Sequence, residues 1–547
     1  MNIKVFERIE RAYSAKIAHA VLSDEGQNRT ELQPFVHQPI ELRYDEEGFE
    51  ECVAVGECRD MIRFTVKREG TYHLEVRLEN GETKRETFTA KGFDGTGYIG
   101  VNRRDPRYFT CSSGEPFYAM GINLAFPRRV PVSNQKEFGI GSGIAFLGMR
   151  QYERWFEKCS QNGVNMARVW LGHEYFSPDT EDARRVNYAQ FSKIDILLAL
   201  AKKYGIRLKL TLDQFRFFRY DVSNGGNVFR HFNKNLYLDG KRCESIDEWM
   251  TEEKWKEAWL RKVSEFAKRY AGDTAIFAIE LWNEMNCLPY HNEWNREMLP
   301  KVAALFPDNM VVNSLGSLDT EESMSNYRDF PWELSAFRQM HRYLDQGSKM
   351  ESTKDNLIEV IQEGLRLVKG DDMPMLVAET GAVNDRHSGE FRYYSVDDRG
   401  ILFVDSVYTP VFCGCAGCGN IWHWDERYVE SKNLYRYFRP LADMLTGIDF
   451  AAENFAVEDC SDDRVYCLLL RGKTVSLGFV RNKSDSWKNV LRDLREAVPV
   501  AEKSLNLPCR TVKVYPIWED DTTKVSAADG SVVLTDILYG TIFRVGH

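Results

Sequence analysis

Hydrophobic and polar residues pass through three regimes along the chain. In the first, Ile62, Phe64 and Val66 oppose Arg63, Thr65 and Lys67, and Tyr72, Leu74, Val76 and Leu78 oppose His73, Glu75, Arg77 and Glu79. Successive strand side chains face opposite ways, so this period of two predicts half-buried strands. Asn80-Gly81 supplies the positive-φ pair of a tight hairpin before Thr83 to Ala90 returns. Residues 1–98 are expected to form a β-sandwich. In the second regime a helical period over Met149 to Gln161 stops at Gly163 and an apolar run, Val164 to Leu171, follows. Ile194 to Lys203, Gly205 and Ile206 to Leu212 repeat it. The alternation can be read eight times, with strands near Phe117–Ile122, Asn165–Leu171, Ile206–Leu212, Ile276–Trp282, Met310–Asn313, Ala336–His341, Met375–Ala378 and Asn420–Trp424. Eight β/α units in order predict a closed (β/α)8 TIM barrel over residues 99–450. An open doubly wound sheet would share the alternation, but no Gly-rich phosphate turn follows any strand. The third regime, residues 451–547, holds short strands at Val465–Leu470, Thr474–Val480, Val512–Ile517, Val532–Leu534 and Thr541–Val545, a second expected β-sandwich.

Composition narrows the chemistry. The 547 residues are 43% hydrophobic and 28% charged, enough for a large core, and the net charge of −10 disfavours nucleic acid and anionic membrane surfaces as partners. A neutral, polar ligand fits best. Met1 to Leu22 is interrupted by charges and lacks the apolar core of an export signal, which points to a cytoplasmic protein. Val407 to Trp424 approaches the length of a membrane span but contains Pro410, Gly414, Gly417, Gly419, Asn420 and His423, and is rejected as one. Twelve cysteines are too few for a disulfide scaffold. Cys413, Cys415 and Cys418 form Cys-x-Cys-x-x-Cys, yet a tetrahedral metal site needs a fourth ligand, and the surrounding small residues read as a tight passage into strand eight. No metal and no cofactor are expected.

Reactive groups in such barrels stand at the carboxyl ends of the strands. The fourth strand ends in Ile279-Glu280-Leu281-Trp282-Asn283-Glu284 and the seventh in Leu376-Val377-Ala378-Glu379-Thr380-Gly381. Two carboxylates meeting across one mouth suit glycosidic bond cleavage, in which one protonates the leaving oxygen and the other attacks or guides water. Glu280 shares period-two parity with Trp282 and Glu284 and should point inward as a partner for a basic residue.

Asn283-Glu284 after strand four and Glu379 after strand seven resemble the retaining clan A glycoside hydrolases, and Ile279 to Glu284 is similar to mannanase-type members of glycoside hydrolase family 5. The resemblance spans Phe117 to Asp425. It implies Glu284 as acid/base, Glu379 as nucleophile and Asn283 on the sugar 2-hydroxyl. It further implies Arg168 as the cation beside the nucleophile, with His341, Tyr343 and Trp424 as active-site wall. Where such enzymes commonly carry a His after strand three, this chain has Leu212-Asp213-Gln214. Physical reasoning runs the same way: Arg168 beside Glu379 would hold that carboxylate ionised, and an apolar Trp282 would favour the protonated form of Glu284. Trp170, Trp282, Trp422 and Trp424, with Phe215, Phe217, Phe218, Tyr220, Phe229, Phe232 and Tyr237 after strand three, offer flat rings to pyranose faces. The resulting expectation is a retaining β-glycosidase acting on β-linked oligo- or polysaccharide, β-mannanase-like first. The alternatives are an exo-acting β-mannosidase or β-xylosidase, a non-catalytic carbohydrate-binding barrel, and a metal-dependent hydrolase, the last disfavoured because ten histidines form no H-x-H or H-E-x-x-H cluster.

Overall fold

The computed structural model describes residues 1–131, 144–214, 218–220, 229–232, 236–387, 389–528 and 530–547. Near the amino terminus, a five-stranded sheet runs in the order Asn2–Val5, Thr83–Phe93, Gly70–Leu78, Ile17–Asp24, Arg29–Glu31, and a three-stranded sheet in the order Arg8–Tyr13, Arg59–Thr65, Phe35–His37. Ile62, Phe64, Val66, Leu74, Val76 and Leu78 are all buried in one cluster, and the Asn80-Gly81 turn links the expected strands. The polar face is not all solvent. Arg63 donates to Asp195 Oδ1 at 2.8 Å and to the Arg269 carbonyl at 2.8 Å, because that face lies against helices of the middle region.

The middle region is a parallel β/α core. Five strands, β1 (Gly121–Asn123), β2 (Met166–Trp170), β3 (Arg207–Gln214), β4 (Ile276–Asn283) and β5 (Met310–Val312), pair in parallel in chain order, and β6 (Arg338–Asp345) pairs in parallel with β7 (Met375–Val383). Intervening helices include α1 (Met149–Gln161), α2 (Tyr188–Lys203), α3 (Ile246–Thr251), α4 (Glu253–Tyr270), α5 (His291–Leu305), α6 (Glu321–Asp329), α7 (Leu357–Val368) and α8 (Ile401–Phe412). The eighth expected strand is an irregular segment that makes only isolated parallel bridges, Gly417 to Ala119 and Ile421 to Thr380. It still bonds both neighbours: Asn420 N donates to the Val377 carbonyl at 2.9 Å, and Cys418 N to the Ala119 carbonyl at 3.0 Å. Its glycines let the chain pass where side chains have no room; a Cβ on Gly419 would lie 2.1 Å from the Ser406 carbonyl of α8.

One hairpin of the amino-terminal region, Ile40–Tyr44 with Glu50–Ala54, reaches the core. Gly148, which precedes α1, has no side chain to cap that helix, and Glu50 takes the role: its Oε2 accepts from Met149 N at 2.6 Å. The other oxygen accepts from Tyr175 Oη at 2.5 Å.

At the carboxyl terminus a five-stranded antiparallel sheet (order Ala456–Asp459, Val465–Arg471, Val475–Asn482, Gly540–Gly546, Thr511–Tyr515) and a three-stranded one (Val500–Leu505, Ser531–Ile537, Lys524–Ala528) enclose their own apolar cluster. Buried Arg481 donates to Asp405 of α8 at 2.8 Å and joins this region to the core. No helix among the described residues is long and apolar enough to cross a membrane.

Candidate active site

Strand β2 is buried along its whole length, so Arg168 in its middle can persist only with partners. It has them. Nε donates to Glu280 Oε1 at 3.1 Å, one terminal nitrogen donates to Glu280 and to Asn283 Oδ1 at 2.6 Å, and the other bonds Glu379. Burial alone would make this guanidinium easier to deprotonate; Glu280 and Glu379 outweigh that and hold it charged. Tyr343 Oη donates to the second Glu379 oxygen at 2.5 Å, so this carboxylate is fixed from two sides.

Strand β4 leaves its regular pleat at its end. Glu280 and Asn283 both reach Arg168, whereas the Trp282 ring packs on Trp249 of α3 and Trp294 of α5, at 5.2 and 6.5 Å between ring centroids. The parity that placed Trp282 inside with Glu280, as apolar surroundings for Glu284, is therefore corrected. The cause is local: Trp282 N is claimed by Asn313 Oδ1 at 2.7 Å and Glu284 N by Ser314 Oγ at 3.1 Å, and Glu284 itself adopts φ 56°, ψ 54°. A left-handed non-glycine residue of this kind is characteristic of functional sites.

His341 Nδ1 lies 3.0 Å from Glu284 Oε1 and 3.6 Å from Glu379 Oε1. Burial lowers the imidazole to about 4 despite the neighbouring Glu379, so the ring is neutral at physiological pH and donates through Nδ1–H to the carboxylate. One oxygen each of Glu284 and Glu379 and a nitrogen of His341 lie within 4.8 Å of one another. Arg168, Asn283, Glu284, His341, Tyr343 and Glu379 thus converge. Trp424 packs edge-on against Trp422 at 4.9 Å and Phe126 at 5.2 Å, and Trp422 meets Trp170 at 5.2 Å, whose ring in turn lies under Arg168. Of the aromatics after strand three, Phe215 and Phe217 lie outside the described residues, as do the side chains of Phe218, Tyr220, Phe229 and Phe232; Tyr237 is exposed.

Several members of the site were not singled out from the sequence. Asn123 on β1 ties the Ala378 and Asn420 carbonyls together at 3.0 and 2.9 Å and lies 3.4 Å from Arg168. Lys209 on β3, Gln339 on β6, Thr211 and Ser314 all bond Glu280. Lys209 carried a readable signal: a lysine between Leu208 and Leu210 in an apolar strand needs a partner as much as Arg168 does. Gln214, at the end of β3, is buried with Nε2 3.4 Å from the Gly172 carbonyl.

Among the described residues, two groups of side chains are close enough to hold a cation: Glu284, His341 and Glu379, and Asp319, Asp345 and His387. In the second, His387 Nδ1 lies 2.5 Å from Asp345, and burial with the nearby Asp345 raises Asp319 to about 6. Cys413, Cys415 and Cys418 are buried, and burial raises the last two thiols to about 12.

A family model described as Cellulase (glycosyl hydrolase family 5) matches residues 133–398, a span that includes Arg168, Glu284, His341, Tyr343 and Glu379 but ends before Trp424. A solved structure from Bacteroides vulgatus ATCC 8482 described as a glycoside hydrolase aligns over 100% of both chains, with 12% identity and a TM-score of 0.56. A glycoside hydrolase family 5 structure from the same organism aligns over 82% of this chain and 94% of its own, with 12% identity and a TM-score of 0.52. These two likenesses are of fold. No match was found among curated proteins.

Proposed function

Taking as premise that the chain is a glycosidase of the clan A, family 5-like type, we propose that it is a retaining β-glycosidase working by double displacement on a (β/α)8 barrel. In this reading the barrel is residues 99–450, flanked by β-sandwich domains at 1–98 and 451–547. Backbone bonds on both sides of the irregular eighth segment, and from Ala336 N to the Val311 carbonyl at 3.0 Å, support closure of the parallel core into a barrel.

The observation that carries the mechanism is that one oxygen of Glu284 and one of Glu379 lie within 4.8 Å of each other around His341 Nδ1, which favours the shorter of two carboxyl separations. Carboxyl groups about 5–5.5 Å apart suit nucleophilic attack, whereas inverting enzymes leave about 6.5–9.5 Å for a water. Glu379, oriented by Arg168 and Tyr343, attacks the anomeric carbon; Glu284, bonded to neutral His341, protonates the leaving oxygen and later deprotonates water. Asn283 gives its Oδ1 to Arg168 and keeps its amide N–H groups for the sugar 2-hydroxyl. Partly exposed Trp422, backed by the buried Trp170 and Trp424 rings, supplies an apolar face beside the site. The substrate is a β-linked oligo- or polysaccharide, β-mannan first, on the strength of the Ile279 to Glu284 motif.

Dinitrophenyl β-glycosides test the roles. Glu379→Ala loses nearly all turnover, and azide does not restore it with retention. Glu284→Ala still releases dinitrophenolate in the first step, slows in the second, and is rescued by azide as the β-azide. Equal, unrescued losses, or an inverted product, sink the reading. Product sizes from β-mannan and cellulose oligomers decide substrate and endo action.

A further inference from the structure

The buried layer beneath Glu379 holds a charge arrangement that the roles above leave unused. Glu280 Oε2 accepts from Lys209 Nζ at 3.0 Å and from Gln339 Nε2 at 2.9 Å; Oε1 accepts from Thr211 Oγ1 at 3.0 Å, Ser314 Oγ at 3.3 Å and Arg168. Lys209 Nζ also donates to Gln339 Oε1 at 2.5 Å. Arg168, Lys209 and Glu280 have no exposed side-chain surface. Burial lowers the Lys209 ammonium to about 8, against the pull of Glu280, which leaves it charged at neutral pH; Arg168 and Lys209 together outweigh the burial of Glu280 and keep it ionised. With His341 neutral, the resting layer contains two cations, Arg168 and Lys209, and two carboxylates, Glu280 and Glu379.

We propose that Lys209 and Glu280 are positioning residues that set the balance between the two chemical steps, Lys209 by leaving the layer beneath the glycosyl-enzyme with one cation in excess. The inference rests on the double-displacement reading. In the first step Glu379 bonds to the anomeric carbon, the glycosidic C–O bond breaks, and the leaving oxygen takes a proton from Glu284. Esterified Glu379 has lost its charge and Glu284 has gained one, so the negative charge has moved from the carboxylate that Arg168 holds to the one that faces neutral His341, and the layer itself carries one cation in excess where water cannot screen it. In the second step water oxygen bonds to the anomeric carbon, its proton passes to Glu284, and Glu379 departs with the electron pair of the ester C–O bond. Departure returns the negative charge from Glu284 to Glu379, so the positive layer favours the hydrolytic transition state over the ester. Glu280 keeps the Arg168 fork divided between itself with Asn283 on one side and Glu379 on the other. Without Lys209 the resting layer has a negative surplus and the ester is the neutral state.

The test uses whichever of dinitrophenyl β-mannoside and dinitrophenyl β-cellobioside the wild type hydrolyses faster, since with so good a leaving group the second step limits kcat. Lys209→Met should lower kcat about tenfold or more and lower KM in parallel, with kcat/KM within about threefold, and intact mass should show glycosyl-enzyme accumulating at saturation. Lys209→Met/Glu280→Gln rebalances the layer, which favours folding, and should regain most of the lost kcat. If Lys209→Met alone does not fold, the comparison is made with Glu280→Gln, in which the surplus is positive and the ester should accumulate less than in the double variant. A folded Lys209→Met with wild-type kcat, or a double variant no better than the single one and no richer in ester than Glu280→Gln, overturns the role of Lys209. A wild-type enzyme that turns over with inversion overturns the double-displacement reading, and this inference with it.

Discussion

Glu284 occupies the left-handed backbone region, which costs a residue bearing a Cβ about 1–2 kcal/mol and glycine almost nothing. Glu284→Gly should therefore unfold at higher urea than Glu284→Ala, by about 1 kcal/mol, although both lack the acid; the reverse order would mean that the side chain, not the backbone, dominates this position. Arg168→Met strands Glu280 and Glu379 as buried charges, and the expected loss is about 3–5 kcal/mol by urea unfolding. The buried histidines have a definite pH signature. His341 is lowered to about 4 and His423 to about 3, mainly by burial. The unfolded chain binds protons near pH 6.5 that the folded one refuses, so their contribution is present above about 6.5 and is lost as pH falls toward 4 and then 3. His423→Gln should flatten the fall of the urea midpoint between pH 6.5 and 4; an unchanged slope would show that His423 is not the group responsible. Arg168 could be read from the sequence because its cost inside an apolar strand demanded carboxylates, which β4 and β7 bring to the same end of the parallel core. Lys209 obeyed the same logic, but its partner Glu280 is shared, and sharing is a fact of three-dimensional packing.

Elements were legible where the period was long. The helices over Met149–Gln161 and around Ile194–Lys203, with the strands that follow them, lie where the apolar spacing put them. The eighth segment, expected as a strand near Asn420–Trp424, forms only bridges. His423 takes φ 37° and Gly417 and Gly419 are pressed against neighbouring backbone, so steric passage rather than pleating sets its path. Gly419→Ala tests this: its methyl meets a carbonyl rather than a flexible side chain, and overpacking should cost about 1–3 kcal/mol or more. Thermal melts of the variant near wild type would mean that α8 gives way. In the carboxyl-terminal region Val500–Leu505 and Lys524–Ala528 were missed, being short strands with charged or small residues on their outward positions.

At the scale of the whole molecule, the β-rich ends are bonded to the core by buried charge as well as apolar contact. Arg63 reaches Asp195 and Arg269, Arg8 reaches Asp273 at 3.0 Å, and Arg481 reaches Asp405. Removing residues 1–98 would leave these core partners unmatched and α1 uncapped. The shortened chain should melt well below the full one, and Glu50→Gln, which keeps the shape but weakens the cap, should lower stability by about 0.5–2 kcal/mol in the full chain. A shortened chain that melts with the full one would make the two units independent. The Glu50 contact has a further consequence for how such genes can recombine. A crossover at residue 98 exchanges an amino-terminal module but separates a helix from the carboxylate that begins it, so crossovers between parents that both carry an acid at the hairpin and a glycine before the helix keep the cap that other crossovers lose. The two positions, far apart in the reading frame, are inherited as one trait.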